Sequence, residues 1–364
     1  MEKQNSDFPI DDNSGSQPPM LPLVAGDIER DYGNMNMQAL RSASNWSLGR
    51  KNTEYSIYQC YQELIEQSQR FIYIENQFFI SSLSETGVEN KIVQTLFERI
   101  RRAIKEGSPF KVVVFMPLMP AFEANLEDHE GKVMQLQIAL QNLTIGKGKG
   151  SLIERIKAEL VGTNLQPESF IQFCSLRKWE FRPSDKKPIS EIIYIHSKLM
   201  IVDDQVLVMG SANLNDRSML GSRDSEIAVC IDGPLDTQAD TGFGPFPVCK
   251  KIHEFRRSLF QEHYGVDIPF PTHPQAWQTM WQIVNTNTQL YERIFKVYPS
   301  NLYPSFNSLQ ARNKDFDQQL FDSQSRQICG HAVIYPYHFL KDEDLMAAKN
   351  SELSLLIVPI YALF

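Results

Sequence analysis

The sequence has 364 residues, of which 42% are hydrophobic and 22% are charged, the composition of an ordinary globular protein. A chain of this length can bury a substantial core, so a collagen-like, coiled-coil or wholly disordered protein is excluded. The formal net charge is −8, from 36 Lys and Arg against 44 Asp and Glu, which argues against a globally basic nucleic-acid-binding protein.

Cysteine spacing and apolar stretches indicate the compartment. No pair among the five cysteines has the spacing of a zinc clip or a redox CxxC, so we expect reduced thiols in a cytoplasmic protein. The N-terminus is polar and has no apolar signal region. The apolar C-terminal stretch, residues 353–364, is too short to span a bilayer as a helix, so we expect any membrane contact to be peripheral.

The first half of the chain begins with a polar segment and continues with periodic hydrophobic patterns. Residues 1–37 are predicted to be a flexible lead-in to a folded region over 38–364. Hydrophobic periodicity then predicts these elements in order: a helix over 55–69, a strand over 71–74, a helix over 90–106, a buried strand over 110–115, helices over 136–143 and 152–160, and a strand over 170–173.

The second half adds strands and two long helices. It is predicted to contain strands over 191–202, 206–209 and 226–231, followed by amphipathic helices over 250–263 and 275–291. Because strands alternate with helices, the pattern predicts an α/β fold whose sheet is covered by helices on both faces.

Two of these strands, joined by a short turn, carry the residues that most suggest chemistry. On a strand, residues two apart share a face, so His196 and Lys198 are predicted to point one way and Ser197 the other. Ser211 and Asn213 end the next strand and also share a face. This set suits a phosphate ester, because the ammonium supplies charge and the hydroxyl and carboxamide supply neutral donors. His196 supplies a group that can attack or protonate near neutral pH.

Two carboxylates accompany this set. Glu226 is predicted to bind the far nitrogen of His196, fixing its tautomer and favouring its charged form. Asp203 lies at the turn and has two interpretations: it belongs to the catalytic group with His196 and Lys198, or it binds the backbone or a buried cation. An isolated histidine in a strand is most often structural, so the prediction depends on the segment GSANLNDRS that comes after.

These segments resemble a known family. HSKLMIVD, residues 196–203, resembles the HxKxxxxD signature of the phospholipase D superfamily. GSANLNDRSMLGSRDSEIAV resembles the segment after the second such motif in eukaryotic enzymes that hydrolyse phosphatidylcholine. RSASNWSLG and IYIENQFFI are similar to segments that precede that motif in the same enzymes. The resemblance runs from about residue 38 to the C-terminus and implies the C-terminal catalytic lobe, a mixed β-sheet flanked by helices on both faces.

The resemblance also implies a mechanism. In the family, one histidine attacks the phosphodiester to form a phosphohistidine, and a second protonates the departing choline and then activates water or an alcohol, without a metal or other cofactor. The second role falls to His196, with Lys198, Ser211 and Asn213 holding phosphate oxygens and Glu226 orienting the imidazole. The products would be choline and phosphatidic acid, formed from phosphatidylcholine at a membrane surface.

The segment that contains Glu75, Asn76 and Gln77 matches one near the active-site rim of the family. The alternative interpretation of these three residues is plain packing at the end of a strand. Both interpretations remain open from the sequence.

One departure from the family affects the nucleophile. None of the other six histidines is followed by Lys two residues on and Asp seven residues on, so the first motif is absent from this sequence. The nucleophilic histidine is therefore expected from a missing N-terminal lobe or from a second chain, as in bacterial relatives that pair as homodimers. Two alternatives remain: a one-motif homodimeric phosphodiesterase or nuclease, and an inactive lobe that binds lipid or a partner. The net charge speaks against nucleic acid, and we expect a cytoplasmic protein that is peripheral on membranes.

Overall fold

The computed structural model describes residues 34–49, 51–81, 87–121, 126 and 131–346. The chain divides into two units after Asn34, and the strands and helices of the described residues belong to the unit that begins at Met35. Most of the predicted lead-in and the apolar stretch 353–364 lie outside the described residues.

A large mixed sheet forms the centre of this unit. The strands in chain order are β1 (Asn36–Ala43), β2 (Glu54–Tyr55), β3 (Phe71–Glu75), β4 (Lys111–Phe115), β5 (Ile171–Phe181), β6 (Pro188–Ile193), β7 (Leu199–Val202), β8 (Val206–Gly210), β9 (Glu226–Asp232), β10 (Thr237–Asp240), β11 (Pro245–Val248) and β12 (Ala332–Ile334). In the part of the chain that the structure describes, β10 and β11 pair separately and the other ten form one sheet, in the order β12-β5-β4-β3-β7-β8-β9-β1-β2 with β6 added to β5. β3, β4 and β5 are mutually parallel, and the remaining pairs are antiparallel.

Helices cover this sheet on both sides. They are α1 (Asn45–Leu48), α2 (Ser56–Gln67), α3 (Ile92–Glu106), α4 (Lys132–Ile145), α5 (Leu152–Glu159), α6 (Asp216–Met219), α7 (Lys250–Tyr264), α8 (Pro274–Phe295), α9 (Phe306–Gln310) and α10 (Gln318–Gln324). The α3 helix ends at Glu106, the predicted last residue, and the following Gly107 has a φ of 61°, the left-handed conformation that glycine adopts without strain. No helix among the described residues is long and apolar enough to cross a membrane.

Alternation along β3 produces two separate hydrophobic cores. Phe71 and Tyr73 point to one face and pack with residues of α7 and α8. Ile72 and Ile74 point to the other face and pack with residues of α2, α3 and α5. Because the strand is buried on both faces, its sequence is a continuous apolar run, as expected for a strand beside a parallel neighbour. The predicted α/β fold with a mixed sheet flanked on both faces is confirmed.

The structure contains strands that the sequence-based prediction lacks, β2, β10, β11 and β12, and β5 extends to Phe181 beyond the predicted 170–173. Two further differences bear on the site and on the lead-in. The single strand predicted over 191–202 is two strands, because β6 ends at Ile193 and β7 begins at Leu199. β6 pairs with β5 whereas β7 pairs with β3, so the chain passes from one to the other through residues 194–198, here called the crossing segment. In addition, β1 begins at Asn36, inside the predicted lead-in, because it pairs along its whole length except its last residue with β9.

Candidate active site

The candidate site lies at one edge of the central sheet, where several strands end together. β3 and β4 are parallel and both end at this edge, and β7 begins here because Leu199 pairs with Glu75. β8 ends and β9 begins at the same edge, with Gly210 opposite Ala228. The backbone N–H of Gly210 donates to the carbonyl of Lys198 at 3.1 Å, which fixes the crossing segment beside the end of β8.

His196, in the crossing segment, presents its ring to solvent. The side chain is exposed, and its ring nitrogens form no hydrogen bond with any residue that the structure describes. The Tyr194 ring stacks beside the imidazole, with centroids 6.3 Å apart and an interplanar angle of 29°. Partial burial, with the nearby Lys198 ammonium, holds the pKa of His196 below its ordinary value. The free imidazole is therefore largely neutral at pH 7 and open to a ligand.

Lys198 lies in the same segment but is buried, with 7% of its surface exposed. Its Nζ donates to Gln77 Oε1 at 3.1 Å and to the carbonyl of His196, so its two acceptors among the described residues are neutral. Burial lowers the pKa of Lys198 to about 8, an effect that the nearby Glu226 carboxylate opposes. Because no hydrogen-bonded carboxylate among the described residues neutralises it, the ammonium can balance the charge of a bound phosphate.

Glu226 binds two serines and not the imidazole, which corrects the predicted hydrogen bond to His196. Ser211 Oγ donates to one carboxylate oxygen, and Ser218 Oγ donates to the other at 2.6 Å. Ser218 comes within reach because Asn215 caps the short helix α6, accepting the Ser218 N–H at 3.1 Å. Glu226 therefore acts on this site through the Ser211 hydroxyl and through its charge near Lys198.

Asn213 follows β8 in the loop that carries Ser211. Its side-chain Oδ1 is buried and has no hydrogen-bond partner among the described residues. The unpartnered atom is an acceptor, so it suits a donor such as an ordered water, whereas the Nδ2 group of the same amide is the donor that a phosphate oxygen requires. β8 ends at Gly210, so Ser211 and Asn213 lie in the loop beside the crossing segment and not at the end of the strand as predicted.

Asp203 lies at the opposite end of β7 from His196. The four residues of that strand separate them by roughly 13 Å, at about 3.3 Å per residue. The Asp203 carboxylate is 3% exposed and accepts the backbone N–H groups of Gln69, Arg70 and Phe71 at 2.6, 2.7 and 2.7 Å. Asp203 therefore binds the backbone, which is the second of the two interpretations from the sequence. It lies away from His196 and Lys198, the residues with which the first interpretation placed it.

The residue Asn76, directly after β3, joins that strand to the loop after β8. Its Oδ1 accepts the backbone N–H of Leu214 at 3.1 Å, and its Nδ2 donates to the carbonyl of Ala212 at 3.4 Å. Asn76 is itself buried, so both bonds are shielded from water. It therefore holds the backbone on both sides of Asn213.

The neighbours of Asn76 contact the crossing segment. Glu75 accepts a hydrogen bond from Ser197 Oγ, and Gln77 accepts one from Lys198 while donating to Tyr194 Oη at 2.9 Å. The segment matched to the active-site rim therefore combines both open interpretations, because its side chains pack at a strand end and also contact the candidate site.

Besides Ser218, the sequence-based prediction missed Tyr194 and His263. Tyr194 stands two residues before His196 in an alternating run, a signal that the spacing could have supplied. His263, at the end of α7, reaches Glu75 from a helix far along the chain, and no local pattern marks it.

Comparison with known proteins identifies the family of this chain. The family model Phospholipase D matches residues 28–307. Phospholipase D of Phytophthora infestans is 38% identical over 321 residues, covering 85% of this chain and 17% of that protein. Phospholipase D1 of Saccharomyces cerevisiae is 40% identical over 262 residues, covering 71% of this chain and 15% of that protein.

The chain thus spans less than a fifth of the length of these two relatives. Among solved structures, a phospholipase D family member, Nuc from Salmonella typhimurium, is 14% identical, with a TM-score of 0.30 over 68% of this chain and 95% of that one. From the family match over most of its length, the chain belongs to the phospholipase D family.

Proposed function

We propose that this chain supplies one half of a phospholipase D active site, which hydrolyses phosphatidylcholine to phosphatidic acid and choline. The observation that carries the proposal is the open imidazole of His196 beside the Lys198 ammonium, at a strand edge shared with Ser211 and Asn213. The family match and the relatives named phospholipase D support the same reaction class.

In the proposed mechanism His196 is the acid and base, and another histidine is the nucleophile. A nitrogen of the nucleophile forms a bond to phosphorus while the bond from phosphorus to the choline oxygen breaks, and His196 donates its proton to that oxygen. His196 then takes a proton from water or an alcohol, whose oxygen bonds to phosphorus as the phosphohistidine bond breaks. An alcohol in this step gives transphosphatidylation.

The charges at the site support these roles. The pKa of His196 is held below its ordinary value in the free chain, and a bound phosphodiester anion raises it by favouring the imidazolium. Substrate binding therefore favours the protonated form of His196, which can donate the proton that the leaving group needs. Lys198 holds the phosphate charge, Asn213 offers its Nδ2 donors, and Ser211 offers a neutral donor when its hydroxyl proton turns from Glu226 to the phosphate.

The proposal includes two partners. One is a membrane surface that contains phosphatidylcholine, reached by a cytoplasmic protein that is peripheral on membranes. The other is the polypeptide that carries the nucleophilic histidine, either an N-terminal lobe or a second copy of this chain. The free state of all five cysteines supports a reducing compartment.

Choline release from phosphatidylcholine vesicles containing a little butanol tests this function. The first arm uses the purified chain alone at rising concentration, because a homodimer gives a rate that grows faster than linearly. The second arm adds the part of the Phytophthora infestans relative that lies outside its region of similarity to this chain. His196→Asn is the inactive control in both arms.

The proposal expects choline and phosphatidylbutanol in at least one arm, and their loss in the His196→Asn variant. It is overturned if a folded chain is silent in both arms while the full-length relative turns over the same vesicles. Activity that His196→Asn leaves intact also overturns it.

A further inference from the structure

A polar network, buried except at Ser197, lies behind the crossing segment. Glu75 Oε1 accepts a hydrogen bond from Ser197, and its Oε2 accepts one from Tyr73 Oη at 2.5 Å. His263 Nε2 lies 3.1 Å from Tyr73 Oη and 3.4 Å from Glu75 Oε2. These four side chains connect the last turn of α7 to the residue between His196 and Lys198.

The Glu75 carboxylate is stable in this position only because of its donors. It is 8% exposed, and burial alone would raise its pKa, but hydrogen bonds from His263, Ser197 and Tyr73 outweigh burial and lower it. Glu75 is therefore an anion that accepts from three side chains. Removing one donor leaves the buried Glu75 carboxylate without one of its hydrogen bonds, and the side chain can then rotate toward a different donor.

His263 is held rigidly at its end of the network. Its side chain is 4% exposed, and its ring lies against Phe115 with centroids 4.6 Å apart. Its backbone carbonyl accepts the N–H of His331 at 2.8 Å, which anchors the end of α7 to the start of β12. The rigid helix end therefore fixes where the Nε2 donor points.

The opposite end of the network is Ser197, in the crossing segment that carries His196 and Lys198. Ser197 stands between His196 and Lys198, so a hydrogen bond that fixes Ser197 restricts the backbone that carries both neighbours. Among the described residues, the His196 ring has no hydrogen bond of its own, so its direction depends on this backbone and on the Tyr194 ring.

We propose that His263 is a positioning residue for the proposed reaction, acting through Glu75 and Ser197 to aim His196 and Lys198 at the phosphate. The inference rests on the proposed function, since it names a further residue of the same site. His263 does not contact the reacting groups, because Glu75 and Ser197 lie between them.

The test compares substitutions at both ends of the network. His263→Leu removes the donor at one end, Ser197→Ala removes the contact at the other, and the double variant removes both. His263→Gln keeps an N–H donor and serves as the rescue. The matched control is His253→Leu, because His253 is also a buried histidine on α7, bonded at 2.7 Å to a different carboxylate, Asp204.

Two readouts are measured. The first is kcat and KM for phosphatidylbutanol formation, in whichever arm of the choline-release experiment is active, at equal folded fraction. The second is the NMR titration midpoint of the His196 imidazole in the chain alone, which needs no turnover.

Each single variant is expected to lower kcat by about 10- to 100-fold, the scale of a misplaced reacting group, with KM changed by less than about twofold. The double variant should be no slower than the slower single variant within about twofold, because both break one connection. His263→Gln should recover most of kcat, and His253→Leu should leave it unchanged. The His196 midpoint should rise toward its ordinary value in His263→Leu, since the Lys198 ammonium is no longer fixed beside it.

The proposal is overturned if the two substitutions have additive effects on kcat, or if His253→Leu slows the reaction as much as His263→Leu. It is also overturned if the His196 midpoint in His263→Leu equals that of the unaltered chain. The proposed function fails separately, when His196→Asn itself has no effect.

Discussion

Substitutions at Asp203 and at His196 should have opposite effects: one should lower stability and the other should abolish activity. The two residues belong to one sequence motif, yet the structure places them at opposite ends of β7. Replacing Asp203 should destabilise the fold and leave the chemistry nearly intact. Replacing His196, whose ring has no hydrogen bond among the described residues, should abolish activity and leave stability unchanged.

The magnitude depends on how the two carboxylate oxygens of Asp203 are used. Among the described residues, Oδ2 accepts the N–H of Gln69 alone, whereas Oδ1 accepts those of Arg70 and Phe71. A hydrogen bond to a charged group contributes about 1.5–3 kcal/mol. Asp203→Asn can keep its oxygen on the Oδ1 side and lose one bond, so the expected cost is about 2–3 kcal/mol. Asp203→Ala loses all three bonds and should cost about 4–6 kcal/mol, less than three full bonds because water partly replaces them.

Urea unfolding at 25 °C, followed by circular dichroism, measures these free energies. The control is Asp322→Asn, an exposed aspartate on α10 that accepts one hydrogen bond from Gln318 and should change stability by less than about 0.5 kcal/mol. Well below its unfolding midpoint, Asp203→Asn should keep kcat/KM within about threefold of the unaltered chain, because no reacting group is lost. A cost under about 0.5 kcal/mol for Asp203→Asn would refute the structural role of this carboxylate.

Two further predictions concern charge. Because the pKa of Lys198 is about 8 and its ammonium attracts an anion, affinity for dimethyl phosphate should fall as the pH rises through about 8, above the pH range in which protonation of His196 adds to the affinity. Lys198→Arg should keep the affinity at pH 10, as calorimetric titration can show, and a flat profile for the unaltered chain would contradict the assignment. Arg256→Met should cost about 3–5 kcal/mol in urea unfolding, because it leaves the fully buried Asp204 carboxylate without its guanidinium at 2.6 Å. A cost under about 1 kcal/mol would show that this pair is not needed to balance the buried charge.

Local patterns are enough to predict much of this fold. The α3 stripe, the glycine that ends it and the apolar run of β3 are properties of short segments, and the structure has all three. The strand break before Leu199 could not be predicted in this way. Apolar residues lie on both sides of the crossing segment, so 191–202 resembles one strand, and only pairing with β5 or β3 distinguishes the two.

The candidate site shows the same division between local and distant contacts. Spacing within adjacent strands predicts His196, Lys198, Ser211 and Asn213, and the structure places their segments at one sheet edge. The sequence pairs Glu226 with His196 because both are expected near that edge. The competing partner Ser218 depends on a helical turn that the sequence does not reveal.

The most direct test of the central claim is the rate of phosphatidylbutanol formation by the chain and by His196→Asn, each combined with a partner that supplies the nucleophilic histidine. Asparagine keeps a similar shape and polarity but cannot transfer the proton. If His196 is the acid and base, the rate should fall by about 10²- to 10⁴-fold while the unfolding free energy stays the same. A His196→Asn rate within about threefold of the unaltered chain would contradict the claim, because the proton would then come from another group.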